Sequence, residues 1–577
     1  MSIRAKVAPL FANLRTSNFF DRVTARRTGK TARRTRFITQ PEPRTVGGFE
    51  RGKQLIAGNY HLGGHLVQSP GRNIWAVEAP DLSFETELHG FTWLDDLAAV
   101  SDLAARGLAQ DWLRGWIERF GNGNGPGWSP DLTGRRLTRW INHGVFLRND
   151  RDPELMDRYF KSLAHQTLFL SKRWTSASPG LPRFEALTGL LYAGLMLEGM
   201  DRQIYPALKA LGRECADQID AEGGLPRRNA EELMEVLTLL TWAQAALIEA
   251  GQKPEPEHVA AIERIVPTLR ALRHSDGGLA RFHGGGGGLD GRLDQALALA
   301  GGKAVPRKGV AMGYLRLACM RSTVISDVAV PPEDALSFDA HASTLGFELT
   351  SGRRQLVVNC GSGTPFSIDW QRASRATASH SALVLDGKSS SLIDIKAKPA
   401  LIKRPPSLVM LEHGGDEDSQ WCKASHDGYV TEYGLVHGRI LDLSNDGRVL
   451  SGDDTLELAS AGQQSIYDKM AEQAGPLGIP FHLRFHLHPN VEAEMEPGGA
   501  AITLTLKSGE VWTFKAQGHA GIDIEPTVYL EKGIQRPRAC KQIVLSGRVM
   551  EYAAKISWNF AKAQETPSYL RDYDEEP

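Results

Sequence analysis

The sequence contains no apolar run long enough to cross a bilayer, no CxxC pair and almost no net charge, and each absence removes a class of protein. Its five cysteines, Cys215, Cys319, Cys360, Cys422 and Cys540, lie far apart. That spacing excludes a disulfide framework and a thiolate zinc site, and predicts mostly buried thiols. A formal charge of −1 over 577 residues excludes a global bias toward nucleic acid, so no nucleic-acid partner is expected and a polyanion has to meet a local patch. The stretch Met1 to Phe37 is rich in Arg and Lys but lacks the apolar core of a secretory signal, which makes a cytoplasmic location the expectation. Residues 1–45 read as a basic flexible arm. Arg26, Arg27, Lys30, Arg33 and Arg34 cluster there as a candidate contact for anionic lipid or a polyanion, or as a solvated tail.

What the chain does have is length enough for two cores, 41% hydrophobic residues and a change of texture midway. From about Trp93 to Ala300 apolar residues recur at helical spacing, as in Asp95 to Val100 running into Leu103 and in Leu233 to Leu240. Turn formers separate these segments at Gly121–Gly127, Ser178-Pro179-Gly180, Glu222-Gly223-Gly224 and Gly251–Pro254. Stacked helical hairpins of this kind predict an (α/α) toroid over residues 46–310. Beyond the glycine run Gly284 to Gly288, read as a mobile loop, short alternating segments dominate: Thr323–Ile325, Leu356–Val358, Ala382–Leu385, Ala501–Leu506 and Gln542–Leu545. With turns at Asp386-Gly387, Asn445–Gly447 and Ser508-Gly509, residues 311–577 predict an antiparallel β-sandwich, giving an α + β multidomain chain.

Three stretches narrow the choice. Phe338-Asp339-Ala340-His341 leading to Gly346-Phe347-Glu348-Leu349, then Leu356-Val357-Val358-Asn359-Cys360-Gly361, then Ser379-His380-Ser381 leading to Asp386-Gly387 resemble the opening of the C-terminal sandwich of the heparinase II/III-like polysaccharide lyase superfamily. Ser425–Tyr429 with Leu435–Arg439, and Phe485–Pro489, are similar to later strands of that sandwich, and Gly189–Gly194 with Gly223-Gly224 to its toroid helices.

The resemblance implies a divalent metal, most often zinc, held by His341, Asn359 and His380, with Asn359 standing where the family has Asp. Hydrogen-bonded core histidines are the alternative. It also implies an acidic, uronate-containing polysaccharide or oligosaccharide as partner and β-elimination as the reaction. That reaction needs a group to neutralise the C5 carboxylate, a base for the C5 proton and an acid for O4. The family's three positions fall here at Leu181–Glu185, at Glu232 and at Asp339, each with a residue other than the usual one. Candidate catalytic residues are therefore Glu232, Asp339, Arg183, Glu185 and Tyr429, with Arg228, Asn229, His143 and Tyr192 as candidate substrate contacts. Paired carboxylates would suit hydrolysis as well. Salt bridges bracing the helices are the structural alternative, and a binding or biosynthesis-associated protein that has lost the chemistry is the functional one. By resemblance, periplasm or envelope is the alternative location.

Overall fold

A computed structural model describes residues 18–39, 42–301, 305–397, 399–518 and 520–563. The chain divides into two units. A helical unit comprises residues 1–225, 232–266 and 289–303, and a sandwich unit comprises 226–231, 267–288 and 304–577. The sandwich unit thus takes two segments from within the helical half, which a single boundary near residue 310 does not anticipate.

In the helical unit the basic stretch is built into the structure as far as it is described; residues 1–17, 40 and 41 lie outside the described residues. Phe19–Thr31 is a helix opened by a reciprocal cap, in which Asp21 N donates to Asn18 Oδ1 at 2.8 Å and Asn18 N to Asp21 Oδ2 at 3.2 Å. The same Asp21 accepts from Arg173 Nε at 2.7 Å, and His165 Nε2 lies 2.6 Å from the Ala25 carbonyl, so the helix is docked on Pro153–Arg173. The periodic segment from Asp95 to Leu103 is two helices, Trp93–Val100 and Leu103–Phe120. Ser101 turns left-handed at φ 52° and Asp102 accepts from Ala105 N, so a cap interrupts a pattern that reads as continuous.

Pro130–Asn142 and Leu181–Met196 pack closely because both carry glycine at the crossing: a Cβ on Gly189 would sit 2.6 Å from the Gly134 Cα. Arg135 of the first helix pairs with Glu185 of the second, and Asn142 lies beside Tyr192, so the two run parallel. Trp75, Trp93, Trp112, Trp116 and Trp140 are buried on one another rather than offered to a sugar; Trp93 and Trp112 meet edge to face at 4.9 Å, Trp116 and Trp140 at 5.4 Å.

The sandwich unit has two large antiparallel sheets beside a two-stranded one formed by Leu392–Ile393 and Ile402–Arg404. One runs in spatial order Leu408–Gly415, Ser419–Tyr429, Leu435–Ser444, Val449–Leu458, Ala553–Lys562, Val511–Gln517, Ala501–Leu506 and Val491–Met495. The other runs Gly521–Tyr529, Arg538–Val549, Ile479–Leu487, Arg354–Val358, Phe347–Ser351, Ser322–Asp327, Tyr314–Cys319 and Val310–Ala311, with Leu383–Leu385 also paired to Ile479–Leu487. Alternation along Leu435–Ser444 sends every second residue inward. Phe347 of one sheet stacks on Trp558 of the other at 5.7 Å, and Phe485, Phe514 and Phe560 close the core around them. No cysteine is disulfide-bonded, and four of the five are buried. Among the described residues no helix is long and apolar enough to cross a membrane.

Candidate functional site

In the sandwich unit, the turn after Ser322–Asp327, the turn before Phe347–Ser351 and the segment before Leu383–Leu385 converge on Asp327, which is fully buried. Burial alone would raise its pKa, but the Arg228 guanidinium, His283 and Ser343 hold the carboxyl well below the usual range. Arg228 Nη2 makes a short ion pair with Asp327 Oδ1, Ser343 Oγ donates to Oδ2 at 2.6 Å, and His283 Nε2 lies 3.4 Å from the same oxygen. The rest of the Arg228 fork is directed at carbonyls of Met312, Val330 and Gly313, with the guanidinium 4.7 Å over the Tyr314 ring. Tyr314 in turn donates to the Arg228 carbonyl at 2.6 Å. Arg228 is thus an internal anchor, its donors taken up within the unit rather than presented to a substrate.

Next to this anchor stands a histidine group. His341 N donates to His283 Nδ1 at 3.0 Å, and His341 Nδ1 faces His380 Nε2 at 3.0 Å. Burial pushes His380 down to about 4, and burial with the neighbouring His380 pushes His341 well below its ordinary value, so both are neutral at pH 7. Arg439, paired with Asp454, donates to the carbonyls of Leu345 and Ser381 and so fixes the two segments that carry these imidazoles.

His283 precedes the glycine run and carries a left-handed backbone (φ 46°). Instead of a mobile loop, the run is a hydrogen-bonded turn, with Gly286 N donating to Glu231 and Gly285 N to the Phe282 carbonyl. Asn229 Nδ2 donates to the His283 carbonyl at 3.2 Å, and a Cβ on Gly284 would meet Asp339 Cβ at 2.9 Å. Half-buried Asp339 accepts on Oδ1 from both Thr364 and Gln371 at 3.0 Å. His283, Asp327 and Glu348 are the residues that the sequence did not reveal, since His341 lies 58 positions from His283, Arg228 lies 99 from Asp327 and His274 lies 74 from Glu348.

A zinc shell needs at least three donors aimed at one point, with bound imidazole nitrogens about 3.3 Å apart. His341 and His380 come near that spacing, and His380 Nδ1 is tied to the Ala376 carbonyl, which leaves Nε2 to face its partner. Asn359 does not complete the set: its Oδ1 accepts from Ser381 N at 3.0 Å, and an amide is a neutral, weak donor. Glu348, the nearby carboxylate, is 3.0 Å from His274 Nε2 and accepts from Arg281 N at 3.1 Å. Among the described residues no three His, Cys, Asp or Glu side chains form a metal-holding group, so the donors present fit a hydrogen-bonded pair better than a zinc centre.

The remaining candidates are placed elsewhere. Arg183 pairs with Glu214 at 3.1 Å and Glu185 with Arg135 through two bonds of 2.7 and 2.9 Å, so each is held in a separate ion pair. Glu232 belongs with them to the helical unit, half-buried near Gly180. His143 bridges Asp95 and Thr45, each at 2.9 Å, and Tyr192 is buried with its hydroxyl on the Trp242 carbonyl. Tyr429 is buried in the sandwich, donating to the Leu383 carbonyl at 2.8 Å, and burial raises its pKa far beyond the range of a proton carrier at neutral pH.

Residues 302–559 match the family described as heparinase II/III-like, C-terminal. The chain is 30% identical over 529 residues to FtsZ-localized protein C of Caulobacter vibrioides, covering 89% of this chain and 88% of that protein. In fold it is similar to heparinase III (TM-score 0.68, 12% identity, 94% of this chain and 89% of the other). It is also similar to a mutant of the heparan sulfate lyase HepC from Pedobacter heparinus (TM-score 0.59, 13% identity, 94% and 88%). The chain carries a heparinase II/III-like C-terminal domain over residues 302–559 and belongs to the family of FtsZ-localized protein C.

Proposed function

We propose that this chain acts on an acidic, uronate-containing polysaccharide as a carbon–oxygen lyase, with Asp339 and Asn229 at the reacting centre. The observation that carries the reading is the gathering of Arg228, Asn229, His283, Asp339, His341 and His380 in one part of the sandwich unit, on a backbone that is left-handed at Arg228, His283, Met312 and Leu345. Each such non-glycine residue costs about 1–2 kcal/mol, and conformations of that kind persist where the position of a group matters more than local stability.

Asp339 occupies the position at which the resembling lyases carry a catalytic His. Thr364 and Gln371 both bind Oδ1, which orients Oδ2 for substrate. Asn229, against Gly285 where the preceding Gly284 packs on Asp339, carries an amide that suits the C5 carboxylate. In the reaction Asp339 takes the C5 proton, the C–H electron pair becomes the C4=C5 bond, the C4–O4 bond breaks, and the carboxyl returns its proton to the departing O4. No metal enters this step. The test is ultraviolet absorbance of the unsaturated product across a panel of uronate polymers; the reading predicts product on at least one, and silence on all of them removes it.

A second reading is favoured by the relative that is named for its localisation with FtsZ. Under it the chain is recruited to FtsZ assemblies and uses the lyase fold to bind glycan without cleaving it. Retained binding to a uronate polymer without elimination, together with co-localisation of a fluorescent fusion with FtsZ, would support this alternative.

A further inference from the structure

Three turns of the sandwich unit meet around a small cavity of about 70 Å³. The hairpin from Phe347–Ser351 to Arg354–Val358 turns through Gly352, left-handed at φ 55°, and Arg353. The turn between Ala501–Leu506 and Val511–Gln517 carries Lys507 and closes where Gly509 N donates to the Leu506 carbonyl at 2.8 Å. After Ile479–Leu487 the chain turns at His488 to Asn490, with Val491 N on the His488 carbonyl at 2.9 Å. The cavity is separate from the histidine group. Arg354 opens the strand that leads to Asn359, and five residues of rise set the two roughly 16 Å apart.

Among the described residues the lining carries Arg353, Arg354 and Lys507 and no acidic side chain. Its other polar side chains are held by bonds that consume their acceptors. Gln355 Oε1 accepts from the Tyr529 hydroxyl at 3.3 Å, and its Nε2 donates to Asp276 at 2.7 Å. Asn490 Oδ1 accepts from Arg538 Nη2 at 3.0 Å, which leaves the Nδ2 donor. His488 Nδ1 accepts from Asn490 N at 3.2 Å, so the ring proton sits on Nε2, and the ring stands edge to face on Tyr529 at 5.2 Å. Burial, with the Arg281 and Arg538 guanidiniums, pushes His488 down to about 3, so that tautomer is the neutral form present at pH 7. Positive charge and N–H donors without a side-chain acceptor complement an oxyanion. Donors arriving from three turns suit a tetrahedral array of oxygens better than the flat fork of a carboxylate. Inorganic phosphate keeps a P–OH at pH 7 and would need an acceptor that these side chains do not offer, whereas sulfate needs none. Pockets for whole small molecules start at roughly 300 Å³, so a group of a few heavy atoms is what fits here. Arg353 and Lys507 are exposed at the rim, which lets such a group enter while attached to a larger molecule.

We infer that this cavity binds a sulfate group, with Asn490 Nδ2 and His488 Nε2 donating to its oxygens and Arg353 and Lys507 supplying charge. The group is either the free ion or the sulfate ester of a larger anion, and the inference does not depend on the elimination chemistry.

Calorimetric titration of the full-length protein with sodium sulfate, in chloride buffer of constant ionic strength, tests this. Saturable binding is expected, with inorganic phosphate weaker. Asn490→Asp puts an oxygen in place of the Nδ2 donor but keeps the Arg538 bond, and Lys507→Met removes an exposed charge. Each is expected to weaken sulfate by at least about tenfold while circular dichroism remains that of the parent. A second titration compares chondroitin sulfate with the same polymer after desulfation. A preference of about tenfold or more for the sulfated form, lost in both variants, upholds the site with the ester as its ligand; saturable sulfate binding without that preference upholds it with the free ion. Absence of saturable sulfate binding together with equal affinity for the two polymers, phosphate bound as tightly as sulfate, or undiminished binding in folded Asn490→Asp would each overturn the inference.

Discussion

A carboxylate at position 359 is the change that would turn the buried histidine pair into a metal site. Asn359→Asp keeps the shape of the side chain and adds charge beside His341 and His380, both neutral and 3.0 Å apart. Elemental analysis after dialysis against zinc is expected to show markedly more bound zinc in Asn359→Asp than in the parent; equal occupancy in the two would show that the amide ligates as well as the acid. Asp96 offers a separate test. Burial, offset only in part by Arg51 and the Gly48 amide, raises it from 3.8 to about 6. Because the folded value lies above the unfolded one, its contribution is fully present below about pH 4 and is lost as pH rises through about 6, on the order of 3 kcal/mol. Urea denaturation at a series of pH values should show this fall in the parent and a flatter profile in Asp96→Asn. At this scale the motif residues were legible because their identities recur in a family pattern. His283 was not, since its neighbours His341 and Asp327 are distant in sequence, and nothing local distinguishes a histidine beside a glycine run from a loop residue.

Elements were easier to read than their junctions. The strands around Val324, Val357, Leu383, Leu504 and Val544 follow from β-branched and alternating runs, and the Asp386-Gly387 turn from its two left-handed residues. The division at Ser101 was hidden because both flanking helices keep the same apolar period, and only the cap at Asp102 separates them. The assignment of segments 226–231 and 267–288 to the sandwich was hidden for a different reason: Arg228 is tied to Asp327 at a separation of 99 residues. Replacing Arg228 by Met leaves Asp327 buried without its cation, and is expected to cost about 3–5 kcal/mol in chemical denaturation. The glycine crossing of the two parallel helices gives a smaller, local prediction. Gly189→Ala drives a Cβ against the Gly134 backbone and is expected to cost about 1–3 kcal/mol, whereas Gly107→Ala, with open space at its Cβ, is expected to be neutral or mildly stabilising.

For the whole molecule, the order helical half then sandwich was legible from the change in periodicity, because core-facing residues repeat at 3.6 in one half and at 2 in the other. The chemistry was less so, since the family positions that carry the usual groups fall here in Leu181–Glu185, at Glu232 and at Asp339, and only the fold shows that Glu185 is locked to Arg135 while Asp339 is held through Oδ1 by Thr364 and Gln371. The most direct measurement is the initial rate of formation of the unsaturated product for the parent, Asp339→Asn and Tyr429→Phe on one uronate polymer. Loss of the acid–base group should lower the rate by about 100-fold or more in Asp339→Asn, while Tyr429→Phe, which removes only a buried hydroxyl, stays close to the parent. An Asp339→Asn protein that is folded and as fast as the parent would contradict the account.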